Sequence, residues 1–312
     1  MENESVVSEE KIARLLSGKQ MKKFAGIDGV LVGHGTKRFC SMSEPQSIRQ
    51  DIRSISKAVV ALCLGTDLIK QSTKLSLETR IWPFLCSRFP AARRADSRWN
   101  DVSLYHLLTH TTGHESGFLF SSDIANVASD DLMDYIFSRP IPFVPGTHFS
   151  YSNVGTFLIA AYLQELLQKD YVSIADESLF QPLGIVSYKW RQYGCYCAAS
   201  TGLELSLSDL HLLTEIILNN GKIAGEQLVD ANWVKMMCLR HVATPKGHKA
   251  PRFLSKDAYG LNLWAAANQV AFCDGADGQC MVVDIEKCLA VTIMAHSGSQ
   301  QEANEFVQEL LG

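Results

Sequence analysis

Apolar residues recur at two different intervals along this chain, and the change of interval outlines its architecture. From Ser54 to Ile69 the positions Ala58, Val59, Leu62, Cys63 and Leu68 return at helical spacing in an Ala- and Leu-rich stretch, which predicts a buried helix beginning close to Ser54. Helices are also predicted over 104–111, with Ser103 as N-cap and Gly113 as stop, over 130–138 and over 154–168. Ser206 and Asp209 read as a capping box ahead of a helix at 210–219 that Asn220-Gly221 ends, and a last helix covers 301–311. The β-branched stretches lie nearer the two ends: a hairpin within 29–42, then strands at 259–265, 280–283 and 288–294 separated by Asp-Gly and Ile-Glu-Lys turns. Strands at both ends with helices between them predict an α+β fold, an antiparallel sheet built from both termini and flanked by helices, with a helical lobe inserted in the middle. No repeat, low-complexity tract or linker divides the chain. It reads as one domain over 1–312, with a sheet lobe of about 1–75 and 185–312 and a helical lobe of about 76–184.

Composition narrows the function. A chain of 312 residues with 46% hydrophobic content can bury a substantial core. Its 29 basic and 33 acidic residues, net −4, form no basic stripe for a nucleic-acid backbone, so a small molecule or short peptide is the expected partner. The first 23 residues are polar, with helical spacing at Val7, Ile12, Leu15 and Leu16, unlike an export signal. No uncharged apolar run reaches membrane-spanning length. A soluble, cytoplasmic protein with no membrane partner is expected. Nine cysteines, an odd number without framework spacing, read as reduced thiols. Cys195-x-Cys197 lacks a second pair or a spaced histidine, so no metal site is expected, and no cofactor either. His106, His110 and His114 fall at i, i+4 and i+8, but Gly113 interrupts the helix and no glutamate stands at the H-E-x-x-H position, so they read as buried, hydrogen-bonded histidines.

Three short stretches carry candidate chemistry. Ser54-Ile55-Ser56-Lys57 is an S-x-x-K match that sets a hydroxyl and an amine one helical turn apart on one face. A serine hydroxyl needs a base to become a nucleophile, and a lysine serves only if desolvation or nearby positive charge lowers its pKa. The apolar helix after Lys57 supplies such burial. The motif alone says little, because Ser8-Glu9-Glu10-Lys11 matches it too, and Ser54 also reads as a helix-start serine. Tyr151-Ser152-Asn153 follows the turn residues Pro145-Gly146-Thr147. A phenol can move protons when a cation such as Lys57 stabilises its phenolate, and Asn153 reads as a group that orients Lys57, holds a substrate carbonyl, or simply caps a helix. Cys273-Asp274-Gly275-Ala276 offers a glycine where backbone and ligand approach closely, or else a hairpin rich in Asp-Gly.

In this order the three stretches resemble the serine β-lactamase and penicillin-binding-protein superfamily, with its S-x-x-K, S-D-N and K-T-G elements. The Tyr-x-Asn form points to the class C β-lactamase-like branch, which includes esterases, D-aminopeptidases and 6-aminohexanoate-dimer hydrolases. The blocks around Ile52–Lys57, Val102–Gly113 and Pro145–Asn153 resemble that branch, as do Pro182–Ile185 and Tyr259–Leu261, so the resemblance covers about residue 25 to the end. It implies a β-lactamase/DD-peptidase-like fold and an acyl-enzyme hydrolase. It further implies Ser54 as nucleophile, Lys57 as its activator, Tyr151 as proton shuttle to the leaving group, Asn153 as a substrate contact, and the N–H groups of Ser54 and Ala276 as oxyanion hole. One departure matters: Cys273, Asp274 and Gly275 stand where β-lactamases carry Lys-Thr-Gly. Neither Cys273 nor Asp274 supplies positive charge, so β-lactam hydrolysis is disfavoured and a neutral or cationic ester or amide is expected if Asp274 faces the site; a solvent-facing turn residue is the other possibility. An acyltransferase or peptide cyclase using the same serine, and a silent scaffold, are the alternatives.

Overall fold

The computed structural model describes residues 7–43, 48–245, 254–266, 269–296 and 298–312. Its main sheet is antiparallel throughout, with strands in the order Val242–Ala243, Ala258–Tyr259, Trp264–Ala265, Val270–Asp274, Cys280–Asp284, Leu289–Ala295, Ile27–His34 and Lys37–Met42. The early hairpin closes onto the late strands where Val30 pairs with Ile293 and Val32 with Val291. Alternation along the strands feeds two cores. Val30, Val32, Phe272, Val282, Val291 and Ile293 point to one side, where the helices Glu9–Leu15 and Gln300–Leu311 cover them. Leu31, Cys273, Met281 and Val283 point to the other, where the helices Ser56–Leu64 and Leu207–Leu218 lie. Both faces are buried, which explains the near-continuous apolar runs in the central strands.

All nine residues of the helix Ser56–Leu64 are buried. A helix apolar on every side belongs inside a core, and it carries Lys57 there with it. The predicted single helix over 54–69 is divided: Ser54 lies in a 3₁₀ turn, Arg53–Ile55, and the α-helix stops at Gly65 before a second one, Asp67–Thr73. The cause is packing, since a Cβ at Gly65 would come within 2.2 Å of the Trp233 ring, and Thr66 turns extended to start the next helix.

Further elements depart from the periodicity. The helix after Ser103 ends at Leu108 rather than near Thr111, because His110 takes a left-handed φ of 56°. The strand predicted over 259–265 is two short strands, Ala258–Tyr259 and Trp264–Ala265, paired at Tyr259 and Trp264. Val270–Asp274 is a full strand, so Cys273 and Asp274 end one strand rather than lead into the next; the turn lies after them. The helices Leu132–Phe137, Val154–Leu167, Leu207–Leu218 and Gln300–Leu311 fall within a few residues of their predicted positions.

Candidate active site

Residues far apart in sequence converge on the first turn of the buried helix. Ser54 is half-buried and Lys57 wholly buried. The Lys57 Nζ lies 3.2 Å from Ser54 Oγ, 2.7 Å from Asn153 Oδ1 and 3.2 Å from the Ser200 carbonyl oxygen. None of these partners carries a charge. Burial therefore dominates and lowers the Lys57 pKa to about 7, against a smaller opposing pull from Cys273 and Asp274. A neutral amine has two N–H bonds and one lone pair. With Asn153 Oδ1 and the Ser200 carbonyl accepting the two N–H bonds, the lone pair is left for the Ser54 hydroxyl.

Tyr151 also borders the serine. Its hydroxyl is hydrogen-bonded to Ser54, and burial outweighs that bond and raises the phenol pKa well above its ordinary value. Lys57 Nζ sits 4.9 Å from the Tyr151 ring centroid, while the Trp264 ring stacks on Tyr151 at 5.7 Å and 13°. The loop that delivers Tyr151 is tightly held. Ser152 Oγ accepts from the Phe118 N–H and donates to the Phe118 carbonyl, and Asn153 Nδ2 donates to the Leu119 carbonyl at 2.9 Å. Close approach requires Gly117, where a Cβ would fall 1.7 Å from the Tyr151 carbonyl oxygen. The Asn153 amide is thus engaged at both ends, by Lys57 and by Leu119.

The third stretch enters from the sheet. Cys273 is turned into the core, where its thiol donates to the Asn262 carbonyl at 3.4 Å and burial raises its pKa, so it is a thiol and not a thiolate. Asn262 in turn donates to the Lys57 carbonyl at 3.0 Å, tying this strand pair to the serine helix. Asp274 points the other way and pairs with Lys256, Nζ to Oδ2 at 2.5 Å. The Gly275 N–H closes the hairpin by donating to the Gln279 carbonyl at 2.8 Å. Ala276 is exposed, and among the described residues neither its N–H nor that of Ser54 has a hydrogen-bond partner.

Arg53 links these parts. Its guanidinium donates from Nε to Asp277 Oδ2 at 2.6 Å and lies 3.2 Å from Asp51, whose Oδ1 also accepts from the Arg53 N–H at 2.8 Å. The last bond holds a left-handed φ of 52° at Arg53, directly before the serine. The Gly202 N–H donates to the same Asp51 oxygen at 3.2 Å, so the serine turn, the loop bearing Ser200 and the turn bearing Ala276 share one ionic knot.

The three histidines have separate duties. His106 Nδ1 accepts from the Ser103 N–H at 3.1 Å, His110 Nε2 is 3.1 Å from Tyr259 Oη with its ring 4.7 Å from that of Tyr151, and His114 Nδ1 is 2.8 Å from Thr112 Oγ1. Among the described residues no cluster of His, Cys, Asp or Glu is arranged to hold a metal ion, and no helix is long and apolar enough to cross a membrane. Sequence reasoning missed Ser200, which contributes only a backbone carbonyl, and Lys256 and Asp277, which no motif marks. Trp190 lies in the core beside Tyr171, away from the serine, and Trp264 lies against Tyr151.

Comparison with known proteins gives the family and the fold. The sequence pattern of the Beta-lactamase family matches residues 48–310, and the chain belongs to that family. It is 25% identical over 167 residues to penicillin-binding protein 4* of Bacillus subtilis (strain 168), a match covering 50% of this chain and 35% of that protein, so it spans about a third of the relative's length. EstCE1, a hydrolase with promiscuous acyltransferase activity, superposes with a TM-score of 0.74 at 14% identity, over 97% of this chain and 99% of that one. The octameric penicillin-binding protein homologue from Pyrococcus abyssi gives 0.73 at 16% identity, over 97% and 77%. At such identities the likeness establishes the fold: β-lactamase-like, mixed helix and antiparallel sheet.

Proposed function

We propose that the chain is a serine hydrolase that cleaves a small ester or amide through an acyl-enzyme on Ser54. One observation carries the reading: a wholly buried lysine within 3.2 Å of the serine hydroxyl, bonded to uncharged partners only, with its pKa lowered to about 7. Lys57 removes the hydroxyl proton as Oγ attacks the substrate carbonyl. The oxygen of the tetrahedral intermediate is received by the free N–H groups of Ser54 and Ala276. Tyr151, held protonated by burial, donates its proton to the departing alcohol or amine and recovers one from Lys57, the two groups titrating as a coupled pair. Water then attacks the acyl-enzyme with the same proton path reversed.

Asn153 acts on Lys57 rather than on substrate in this scheme, since both ends of its amide are engaged. Where β-lactamases carry Lys-Thr-Gly, the inward thiol of Cys273 and the paired Asp274 supply no free cation, which argues against β-lactams as substrates. Treatment with a fluorophosphonate followed by peptide mass spectrometry tests the reading. An adduct on Ser54, abolished in Ser54→Ala, is expected; an unlabelled Ser54 refutes it. The same labelled-serine chemistry would serve acyl transfer, so product analysis with an added amine decides between water and amine as acceptor, with the hydrolysed acid expected to predominate.

A further inference from the structure

The cations around Ser54 share a property that the motifs do not reveal. Arg53 faces Asp51 and Asp277. Arg191 approaches Asp51 at 3.4 Å. Lys256 faces Asp274. Lys57, the remaining one, has no carboxylate partner among the described residues and sits among uncharged oxygens. Among the described residues, none of these side chains offers an uncompensated charge at the surface to an acidic substrate.

The Lys256–Asp274 pair lies on the Tyr151 side of the site. Asp274 ends the strand beside the serine turn, on the face that carries Phe272 and against which Tyr151 packs. The Lys256 Nζ lies 4.9 Å from the Trp264 ring centroid, and that ring stacks on Tyr151. Both side chains remain within reach of solvent, at 24% and 14% exposure. A lysine thus stands against the Trp264 ring that stacks on Tyr151, and its charge is cancelled by its neighbour. The arrangement suits a substrate that is uncharged at this end.

Resting on the hydrolase reading above, we infer that Lys256 and Asp274 are the specificity-determining pair of the site, and that Asp274 excludes carboxylate-bearing substrates by occupying Lys256. Removal of the Asp274 charge then frees a cation beside Tyr151 and admits an acidic substrate. Removal of Lys256 leaves a bare carboxylate that repels it further.

The test uses a pair that differs by one terminal carboxylate, p-nitrophenyl butyrate and mono-p-nitrophenyl glutarate, the second being the first with a carboxyl group added at its end carbon. The wild-type protein should favour the neutral ester in kcat/KM. Asp274→Asn should raise the glutarate-to-butyrate ratio by about tenfold, a typical yield for one newly unmasked, partly exposed charge. Lys256→Met should lower the ratio, and the double variant should return it towards the wild-type value. A fold or packing defect lowers both rates together, so the ratio and not the absolute rate is read, with thermal melts of each variant confirming that it is folded. A parallel measurement needs no chemistry: binding of 4-nitrobutyranilide and 4-nitroglutaranilic acid to the Ser54→Ala protein, with and without Asp274→Asn, followed by NMR titration. A wild-type preference for the glutarate, or an unchanged ratio in Asp274→Asn, overturns the inference. An unlabelled Ser54 in the fluorophosphonate experiment would overturn the hydrolase reading instead, and the anilide titration would still decide this one.

Discussion

Two ionisable clusters in this molecule, one wholly buried and one half-buried, meet opposite fates. Lys57 lies in the first turn of the central helix with only neutral oxygens around it, and its pKa falls to about 7. Across the core, burial pushes the Glu215 carboxyl up, but the His211 ring, with Nε2 3.3 Å away, and the hydrogen-bonded Arg38 guanidinium reverse that and hold it at about 2. There His211 Nδ1 meets Thr292 Oγ1 at 2.8 Å and Thr214 Oγ1 meets the same oxygen at 2.8 Å, so the helix Leu207–Leu218 is fastened to the sheet. One cluster keeps its charge and serves as a clamp. The other titrates near neutrality and so has a lone pair within reach. The difference lies in whether the fold brings a formal opposite charge to the buried group.

Experiments can break this contrast from either side. The largest effect is expected from Lys57→Met, which deletes the base and should lower kcat/KM by about 10³-fold, within the usual range for a positioned acid or base. The same variant should be more stable at neutral pH. The unfolded chain holds a proton on Lys57 that the folded chain holds weakly, so folding carries a penalty below about pH 7 that fades as pH rises towards 10.5. Thermal melts of the two proteins should therefore converge at alkaline pH.

Asn153→Asp sets a carboxylate 2.7 Å from the amine and turns the reactive cluster into an imitation of the clamp. In the wild type the rate should climb with pH through about 7 as Lys57 loses its proton. In the variant that limb should move upward by more than one pH unit, with a loss of about tenfold or more at pH 7. A limb that stays in place would show that some other group governs the profile.

Arg53 tests a charge that is compensated yet sits inside the site. Its Asp277 partner adjoins Ala276, and Arg53 adjoins Ser54, so their ion pair fixes the spacing of the two free N–H groups. Asp277→Asn should lower kcat by about tenfold with little change in KM, less than the 10² to 10³ expected for losing an oxyanion donor outright. Asp277→Glu should restore part of the rate. The smallest effect on catalysis belongs to Glu215→Gln, which should leave fluorophosphonate labelling of Ser54 intact while lowering stability by about 1–3 kcal/mol at neutral pH. Since the Glu215 pKa is depressed, its contribution is present above the ordinary carboxyl range and is lost as pH falls towards 2. The stability gap between wild type and variant should close on acidification.

The reach of the sequence can be judged at particular residues. Ser54, Lys57, Tyr151 and Asn153 sit in local patterns whose spacing survives folding, and the structure brings all four together. The long helices and the terminal strands were legible because their apolar period extends over several turns or pairs. The break at Gly65 was not, because it answers to Trp233, a ring from a distant helix. Ser200 was invisible for a different reason: a carbonyl oxygen is common to every residue, and only a tertiary fold selects one. Lys256 belongs to the same class of omissions, since its meaning arises from Asp274, its neighbour in space.

The pairing of Ile27–His34 with Leu289–Ala295 has a consequence for biosynthesis. A ribosome releases the serine helix Ser56–Leu64 before Val270–Asp274, the strand beside its first turn, and before Leu289–Ala295, the partner that closes the sheet. Until then the amine has no dry cradle and stays protonated in water. On the hydrolase reading proposed above, the reactivity of Ser54 therefore waits for closure of the sheet.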